Sequence, residues 1–292
     1  MTLEQLRIFI AVADKQHVTQ AASALNLTQS ATSAAIAALE GRYGVKFFDR
    51  VGRGIVLTQA GRDFLIEARA VVARAKAATQ VLIDLVGLKH GTLTIAASQT
   101  VANYWLPSRV QSFKAVHPGI ELKIVIANTE QVAQAVHQGS ADIGFVEGEI
   151  DDASLAVHAI NGDKLIIVVS PSHPWAERCS ITSDEFIDTG WILREPGSGT
   201  RAMFEKGLRK HGLELSELQI VLELPSNEAV RSAVEAGNCA TALSDLIVAQ
   251  SLAAKTLRRL TIDLPHRSFF ALRHKERYAS HAETALLEAL RI

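Results

Sequence analysis

The feature that most constrains this chain is a stripe of apolar and small residues spaced alternately four and three apart through residues 57–85. Its members are Leu57, Gly61, Phe64, Ala68, Val71, Ala75, Ala78, Leu82 and Leu85. This spacing keeps one narrow face of an α-helix apolar over about four heptads, which predicts a single helix about 40 Å long. A lone helix with such a seam needs a partner, so we expect two copies of the chain to pair along it. The alternative is a helix that packs on its own domain.

Three shorter helical patterns precede the stripe. Apolar residues recur with the helical period through 3–13, and a second helix is predicted at 18–25 with Thr19 as its N-cap. A third helix is predicted from 28 to 43, where Gly44 stops it. A support helix followed by two helices joined through a short turn is the helix-turn-helix arrangement.

Two short apolar runs, 45–48 and 55–57, flank a tip rich in glycine and arginine. This pattern predicts a small β-hairpin, or wing. Arg50 and Arg53 at such a tip suit a narrow minor groove, where the negative potential of DNA is strongest. A solvated turn is the plainer interpretation of the same residues.

The charge of the chain is unevenly distributed. Its net charge is −1, but residues 42–76 carry eight basic and three acidic side chains. A phosphate backbone responds to such a local cluster rather than to the total charge. The charge pattern is therefore compatible with DNA binding by the N-terminal part of the chain.

Length and cysteine content bound the class of protein. A chain of 292 residues, 48% of them hydrophobic, predicts about two globular domains. Cys179 and Cys239 stand apart from any set of metal ligands, so we expect no disulfide framework, no metal site and a cytoplasmic location. The start of the chain lacks the pattern of a signal peptide, and no apolar run reaches the roughly 18 residues that a membrane span needs.

Beyond residue 90, strand-like and helical runs alternate, with strands predicted at 92–97, 121–127, 143–146 and 164–169. This alternation predicts an α/β fold in which helices cover both faces of a parallel or mixed sheet. Polar residues follow several strands and open the next helix. Because helix N-termini carry partial positive charge and unpaired N–H groups, several of them at one cleft predict an anion site, although each alone is more simply a helix cap. The residues of this predicted site are Ser98, Gln99, Thr100, Asn128, Thr129, Ser198, Gly199, Thr200, Arg201 and Asn227.

The chain resembles the LysR-type transcriptional regulators over essentially its whole length. The resemblance rests on residues 3–13, 18–25, 28–40, 44–50 and 57–61. It implies a winged helix-turn-helix DNA-binding domain at 1–57, a dimerisation helix at 58–88 and an effector-binding domain at 89–292 that resembles a two-lobed periplasmic binding protein. Lobe I would comprise 91–161 and 267–292, and lobe II 162–266.

The same resemblance implies the partners of the chain. They are double-stranded DNA, a small-molecule effector and, as a further partner, RNA polymerase. We expect a homodimer or homotetramer that needs no cofactor and has no contact with a membrane.

The start of the third helix is expected to read the major groove with short polar side chains. Where many family members carry basic residues, this chain has Ala34 and Ala37. Base readout is therefore expected to depend on Gln29, on a methyl contact from Ala34 to thymine and on DNA shape. On this segment alone, the Ser and Thr residues are equally well explained as helix caps. The predicted DNA-binding set is Thr19, Thr28, Gln29, Ser30, Ser33, Ala34, Arg50 and Arg53.

By family position Glu147 points into the predicted cleft and joins the effector-binding set. A carboxylate there disfavours a simple dianion, or else it bonds a protonated or amine-bearing ligand. Together with 128–130 and 195–201, Glu147 is similar to the family branch associated with sulfur assimilation and sulfite. A small oxyanion is the first ligand expected, and a small carboxylate the second. Arg201 would add a charge-assisted contact to either ligand.

Three other functions were weighed. An enzyme is disfavoured because 197–199 lacks the rest of a nucleophile elbow and none of the ten histidines forms an HExxH pair. A two-lobed small-molecule-binding protein without gene regulation would leave residues 1–88 unexplained. A redox sensor is disfavoured because Cys179 and Cys239 lack a basic environment in the sequence, so buried structural thiols are expected.

Overall fold

The computed structural model describes residues 1–52, 54–85, 91–178, 181–262 and 264–292. These residues form two compact units. The N-terminal unit comprises the described residues up to 85 together with Gln138–Ser140, and the C-terminal unit comprises the other described residues from 91 onward. The predicted fold class, a helix-turn-helix unit followed by an α/β unit, is confirmed.

Three helices open the N-terminal unit: α1 (Leu3–Lys15), α2 (Val18–Ala24) and α3 (Gln29–Tyr43). Helix α3 begins where the Thr28 side chain accepts a hydrogen bond from the Ala31 N–H and ends at Gly44, whose φ of 67° is left-handed. Glycine adopts that conformation without the steric penalty of a side chain, so the predicted stop is confirmed. The predicted cap of α2 is wrong, because His17 occupies the N-cap position and Thr19 lies within the helix.

The wing is an antiparallel pair of β1 (Phe48–Val51) and β2 (Gly54–Leu57). The predicted first strand at 45–48 is displaced, since only Phe48 of that run belongs to the strand. Phe47 is instead buried in the core, and its N–H donates to the Glu40 carboxylate at 2.8 Å rather than to a neighbouring strand. Arg53 lies outside the described residues.

Helix α4 (Gln59–Leu85) begins one residue after the predicted start of the dimerisation helix, and residues 86–88 of that prediction lie outside the described range. Its first half completes the core of the N-terminal unit. The Phe64 ring stacks on Phe47 at a centroid distance of 4.8 Å and contacts Phe9 at 4.9 Å. Ala68 is buried in the same cluster.

The C-terminal unit contains nine strands and six α-helices among its described residues. The strands are β3 (Gly91–Ser98), β4 (Ile120–Ala127), β5 (Ile143–Glu147), β6 (Leu155–Val169), β7 (Gly190–Arg194), β8 (Gln219–Leu224), β9 (Cys239–Ser244), β10 (Arg258–Leu260) and β11 (His266–His274). The helices are α5 (Leu106–Val116), α6 (Thr129–Gln138), α7 (Gly199–Lys210), α8 (Asn227–Ala236), α9 (Asp245–Ala253) and α10 (His281–Leu290). The helix predicted from residue 101 begins instead as a π-helical turn, Val101–Trp105.

The strand order is β4-β3-β5-β11-β6-β9-β7-β8, with β10 paired to β6. Pairs β3–β4, β3–β5, β7–β8 and β7–β9 are parallel, whereas β6 and β11 run antiparallel to their neighbours. The sheet is therefore mixed, which is one of the two arrangements that the sequence predicted.

The long strands β6 and β11 connect two separate hydrophobic cores. Strand β6 pairs with β11 through Leu155–Lys164 and then with β9 through Leu165–Val168. Clusters around β3 and β5 form one lobe, and clusters around β7 and β9 form the other. At the crossing, a Cβ on Gly162 would lie 1.7 Å from the Arg267 carbonyl oxygen, so only glycine fits there.

Candidate functional site

The start of α3 presents short polar side chains on the surface of the N-terminal unit. Thr28, Gln29 and Ser30 are exposed, and Ser33 is half-buried. The Gln29 amide donates to the Ser33 hydroxyl at 3.0 Å, and the Thr28 and Ser30 hydroxyls lie 3.1 Å apart. One exposed edge of this helix thus carries several donors and acceptors able to meet base edges or phosphates.

The other described residues of the predicted DNA-binding set are exposed as well. Ala34 is exposed on α3, and Thr19 is exposed on α2. Arg50 is exposed on β1 of the wing, where it lies opposite Ile55.

A buried carboxylate fixes α3 to the wing. One oxygen of Glu40 accepts the backbone N–H of Phe47, and the other accepts the Lys46 ammonium at 2.7 Å. Burial is the largest effect and would raise the pKa of Glu40, but the bonds from Lys46, Phe47 and Phe48 together lower that pKa. The carboxylate is therefore held ionised at the joint between the helix and the hairpin, and sequence analysis had not identified it.

The stripe on α4 divides into two halves. Gly61 and Ala68 are buried within the N-terminal unit. Val71 is 44% exposed, Leu82 64% and Leu85 77%. Packing on its own domain thus accounts for the first half of the stripe, whereas the second half presents large apolar side chains without cover among the described residues.

In the C-terminal unit, the residues that follow five strands come together. Most side chains of the predicted effector site are buried between the two lobes, namely those of Ser98, Thr100, Asn128, Thr129, Glu147, Ser198, Thr200 and Asn227. Strands that run parallel end at the same edge of a sheet, which explains why residues distant in sequence meet there.

Glu147 is the centre of this cluster. Its carboxylate accepts hydrogen bonds from the hydroxyls of Ser98, Thr100 at 3.2 Å and Thr200 at 3.4 Å. Its backbone carbonyl accepts the Thr129 hydroxyl at 2.9 Å. Glu147 belongs to β5 of one lobe and Thr200 to α7 of the other, so the carboxylate links the lobes.

Further bonds cross between the lobes beside Glu147. The Gln99 side chain accepts the Asn227 backbone N–H at 2.9 Å and donates to the Pro225 carbonyl at 2.8 Å. The Asn227 amide donates to the Thr100 hydroxyl at 3.2 Å. The cleft is therefore closed by the chain's own polar groups.

A cavity of about 490 Å³ opens next to this cluster. Its wall includes Thr129, Gly148, Ser198 and Gly199. The Ser198 hydroxyl is buried and has no hydrogen-bond partner among the described residues. A buried hydroxyl without a partner costs free energy, so it is a ready contact for a polar ligand group.

Arg201, which was predicted to contact the effector, is engaged by other side chains of the C-terminal unit. Its guanidinium forms ion pairs with Glu205 and Glu223, both at 2.9 Å, and a hydrogen bond with the Arg194 carbonyl. Burial would lower the pKa of Arg201, but its bonds with Glu205 and Glu223 raise that pKa. These carboxylates satisfy the charge that was expected to meet an oxyanion.

Two buried arginines that sequence analysis missed lie at the cleft instead. Arg194 donates to the side chains of Asn227 and Glu195. Arg267 is fully buried, forms a bidentate pair with Asp163 and donates to the Thr200 hydroxyl at 3.0 Å. Arg194 directly follows an apolar strand run. The same pattern identified Ser98, so it could also have identified Arg194. Nothing in the sequence around Arg267 predicts its burial.

Two remaining sequence predictions concern the cysteines and a membrane span. Cys239 is half-buried and burial raises the pKa of its thiol, which disfavours the reactive thiolate. Cys179 lies outside the described residues. Among the helices that the structure describes, none is both long and apolar enough to cross a membrane.

Family models match both parts of the chain. Residues 3–62 match the model described as "Bacterial regulatory helix-turn-helix protein, lysR family". Residues 87–292 match the model described as "LysR substrate binding domain". The two matches together span nearly the whole chain.

Similar proteins cover the chain from end to end. A protein of Escherichia coli K12 named "Uncharacterized HTH-type transcriptional regulator YeiE" is 33% identical over 290 residues, which are 99% of this chain and 96% of that protein. The RuBisCO operon transcriptional regulator of Allochromatium vinosum is 31% identical over 264 residues, 90% of this chain and 85% of that protein. Full-length CbnR, solved in complex with its target DNA, shares the fold with a TM-score of 0.68 at 21% identity, over 100% of this chain and 99% of CbnR.

Proposed function

Because the chain belongs to the LysR family of bacterial transcriptional regulators, we propose that it reads operator DNA with the start of α3 and the wing and responds to a small anion bound between the lobes of its C-terminal unit. Family membership makes the chain a DNA-binding regulator rather than an enzyme or a solute-binding protein without gene regulation. The observation that carries the DNA-binding part is the exposed polar edge of α3 beside the basic wing.

The proposed DNA contacts fall into two kinds. Gln29 is the side chain on α3 that can form paired hydrogen bonds with a base edge in the major groove. Thr19, Thr28, Ser30 and Ser33 would contact phosphates or neighbouring bases, Ala34 would contact a thymine methyl group, and Arg50 and Arg53 would follow the backbone or the minor groove.

Two variants test this interface with a labelled duplex that the chain itself selects from a random-sequence pool. Gln29→Ala should weaken binding about tenfold and relax preference at one base position, since a paired base contact contributes about 1–3 kcal/mol. Arg50→Ala should weaken binding to every sequence and flatten the salt dependence by about one phosphate. Fluorescence anisotropy measures both.

Arg209→Ala is the matched control, because it removes an exposed basic side chain near the end of α7 in the C-terminal unit. Its DNA affinity should equal that of the original chain. If Gln29→Ala and Arg50→Ala also retained full affinity, the proposed interface would be wrong.

The proposed assembly pairs two chains along the second half of α4. Val71, Leu82 and Leu85 would be covered by the same residues of the second copy, and two winged units would then meet two half-sites. The outer strands β4 and β8 also expose apolar side chains, including Val125 and Leu222, which offer a second contact for a tetramer. RNA polymerase is the further partner of the assembled regulator.

The proposed effector lies among the buried hydroxyls of the cleft and the adjacent cavity. Ser98, Thr100, Thr200 and the free hydroxyl of Ser198 supply donors, and the starts of α6 and α7 add favourable dipoles for an anion. A ligand shifts the regulator only if it binds one arrangement of the lobes more tightly than the other. Small oxyanions, sulfite among them, and small carboxylates are the candidates. Of the relatives named above, one is named for the RuBisCO operon and none for sulfur metabolism.

The effector class is tested by a thermal-shift screen of the full chain with sulfite, sulfate, thiosulfate and small carboxylates. A saturable rise in melting temperature is expected for the correct class, because a ligand that binds the folded state stabilises it. Ser198→Ala should weaken that response without weakening DNA binding. A screen in which no anion gives a saturable rise would contradict an anionic effector and leave the DNA-binding proposal intact.

A further inference from the structure

A second cavity, of about 450 Å³, lies between two helices of the C-terminal unit, and its wall shares no residue with the cleft. One wall is the face of α5 that carries Arg109, Phe113 and Val116, and the other is the last turn of α10 at Ala289 and Leu290. We propose that this α5–α10 groove binds an amphipathic carboxylate, with the carboxylate group on Arg109 and an alkyl chain along Phe113 and Val116. The proposal goes beyond the proposed function, because it adds a second ligand site that does not depend on the cleft.

Arg109 is held in one position, but its charge is not neutralised. Its guanidinium lies 4.0 Å from the centroid of the Trp105 ring, and Nη1 donates to the Trp105 carbonyl at 2.7 Å. Partial burial lowers the pKa of Arg109, and no carboxylate among the described residues opposes that shift. The other N–H groups of the guanidinium are therefore available for the paired hydrogen bonds that a carboxylate accepts.

The surroundings of Arg109 favour an anion at this end of the groove. No acidic side chain occurs among the described residues that line the groove, and α5 contains Arg109 and Lys114 but no Asp or Glu. The Lys114 ammonium donates to the carbonyls of Pro118 and Ile120, and these neutral partners do not cancel its charge. Arg109 also lies in the first turn of α5, where the helix dipole favours negative charge, whereas Val116 lies at the end that disfavours it.

The rest of the groove offers apolar surface. Phe113 belongs to the core, Val116 is 73% exposed and Leu290 is half-buried. The His117 ring packs on Phe113 at a centroid distance of 4.6 Å and lines the groove beyond Val116. Arg109 and His117 are separated by about 12 Å along the axis of α5, which is enough for an alkyl chain of about eight carbons.

The combination of charge and apolar surface selects the class of ligand. A small inorganic anion would meet Arg109 and leave Val116 in water. A neutral alkyl compound would cover Val116 and leave the guanidinium without an anion. An alkyl carboxylate does both, because it pairs with the cation and removes apolar surface from water.

Isothermal titration calorimetry of the full chain with sodium octanoate tests the groove, with sodium chloride at equal ionic strength as the blank. One saturable site per chain is expected. The affinity should rise about threefold for each methylene group from butanoate to octanoate, because each methylene group is removed from water. Octanamide, which has the same chain without the charge, should bind at least tenfold more weakly.

Three variants assign the binding to the groove. Arg109→Gln should weaken octanoate binding about tenfold, because the amide cannot form paired charged bonds. Val116→Ser should weaken it at least threefold, and this variant keeps the test decisive if loss of the cation over Trp105 destabilises the first one. Arg209→Gln is the matched control, because it removes an exposed arginine from α7, and its octanoate affinity should equal that of the original chain.

A fourth variant separates the groove from the cleft. Ser198→Ala alters the cleft alone, so its octanoate affinity should be unchanged. Loss of binding in Ser198→Ala, together with full binding in Arg109→Gln, would place octanoate in the cleft and overturn the groove.

Two other results would also overturn the proposal. One is the absence of saturable octanoate binding to the original chain. The other is a change of molar mass in light scattering for Val116→Ser with unchanged octanoate binding, which would make the groove a contact between copies of the chain. DNA binding, measured separately by anisotropy, is unaffected by either result.

Discussion

Gly61 lies where α4 passes closest to the turn before the wing. A Cβ at this position would lie 2.2 Å from the Phe47 carbonyl oxygen and 2.8 Å from a methyl carbon of Leu57. The helix can therefore approach the hairpin only because residue 61 has no side chain. At sequence level Gly61 was one small residue of a stripe, and its contact with the chain's own backbone could not be foreseen.

Gly61→Ala should destabilise the N-terminal unit by about 1–3 kcal/mol, because the added methyl group overpacks a contact with backbone. Gly41→Ala is the matched control, since a Cβ there meets nothing within 4 Å inside α3. It should stabilise the unit by about 0.5–1 kcal/mol, because alanine favours the helix. Urea unfolding followed by circular dichroism measures both, and equal effects would contradict the close approach at Gly61.

Glu283 on α10 gives the C-terminal unit a pH-dependent stability. Burial raises the pKa of Glu283 to about 7, with Arg273 at 3.2 Å opposing the shift and Asp142 adding to it. A carboxyl whose folded pKa lies above its unfolded value stabilises the fold fully below pH 4.5. That contribution is lost as the pH rises through 7.

Glu283→Gln, which mimics the protonated side chain, should therefore gain stability relative to the original chain as the pH rises from 5 to 8.5. The gain is expected to be on the order of 1–3 kcal/mol, since one pKa unit corresponds to about 1.4 kcal/mol. Urea unfolding at several pH values measures it. Glu288→Gln, on an exposed position of the same helix, should give a difference that does not change with pH. A constant difference for Glu283→Gln as well would contradict this assignment.

At the scale of elements, periodicity predicted the helices well. Helices α3 and α4 were predicted from their apolar spacing and caps, and both agree closely with the structure. Predicted element boundaries were wrong where a tertiary contact competes with the local sequence pattern. Phe47 was predicted in the first strand of the wing, but its side chain is buried in the core instead. The π-helical turn at Val101–Trp105 and the full length of β6 depend on packing between distant segments, which spacing in one sequence does not reveal.

The candidate site was predictable to the extent that it depends on strand ends. Ser98, Thr100 and Asn227 were found because polar residues follow apolar runs and open helices. Arg201 was assigned to the cleft because it follows a glycine-rich loop, but one turn of helix directs it toward Glu205 and Glu223. The direction of a long side chain depends on where its partners lie, and Glu223 comes from a strand distant in sequence.

Helix α4 allows the dimer proposal to be tested with one matched pair of variants. Leu82→Lys places a charge in the exposed half of the stripe and should convert a dimer to a monomer at micromolar concentration, because the seam cannot bury an unpaired ammonium. Ile66→Lys makes the same chemical change at a 47% exposed position that the helical period places on the other side of α4. It should remain dimeric. Multi-angle light scattering distinguishes the two, and a dimeric Leu82→Lys would contradict pairing along this seam.

At the scale of the whole molecule, an almost neutral chain can bind a polyanion because its charges are segregated. Residues 42–76 carry the basic excess, while the total charge is −1. The positive charge near α3 and the wing determines how many DNA phosphates are neutralised. Acidic side chains elsewhere on the chain contribute little to DNA binding, because salt screens charges that lie more than roughly 8 Å apart.

The salt dependence of DNA binding therefore reports how many wings touch DNA at once. If a dimer neutralises about six phosphates, the logarithm of its binding constant should fall with the logarithm of salt concentration with a slope near −5. Leu82→Lys should retain folded wings but engage one half-site, so its slope should be about half as steep. Fluorescence anisotropy between about 50 and 200 mM salt measures both. A slope near zero would contradict the electrostatic interface, and equal slopes for the two proteins would show that two wings do not need the α4 seam to bind together.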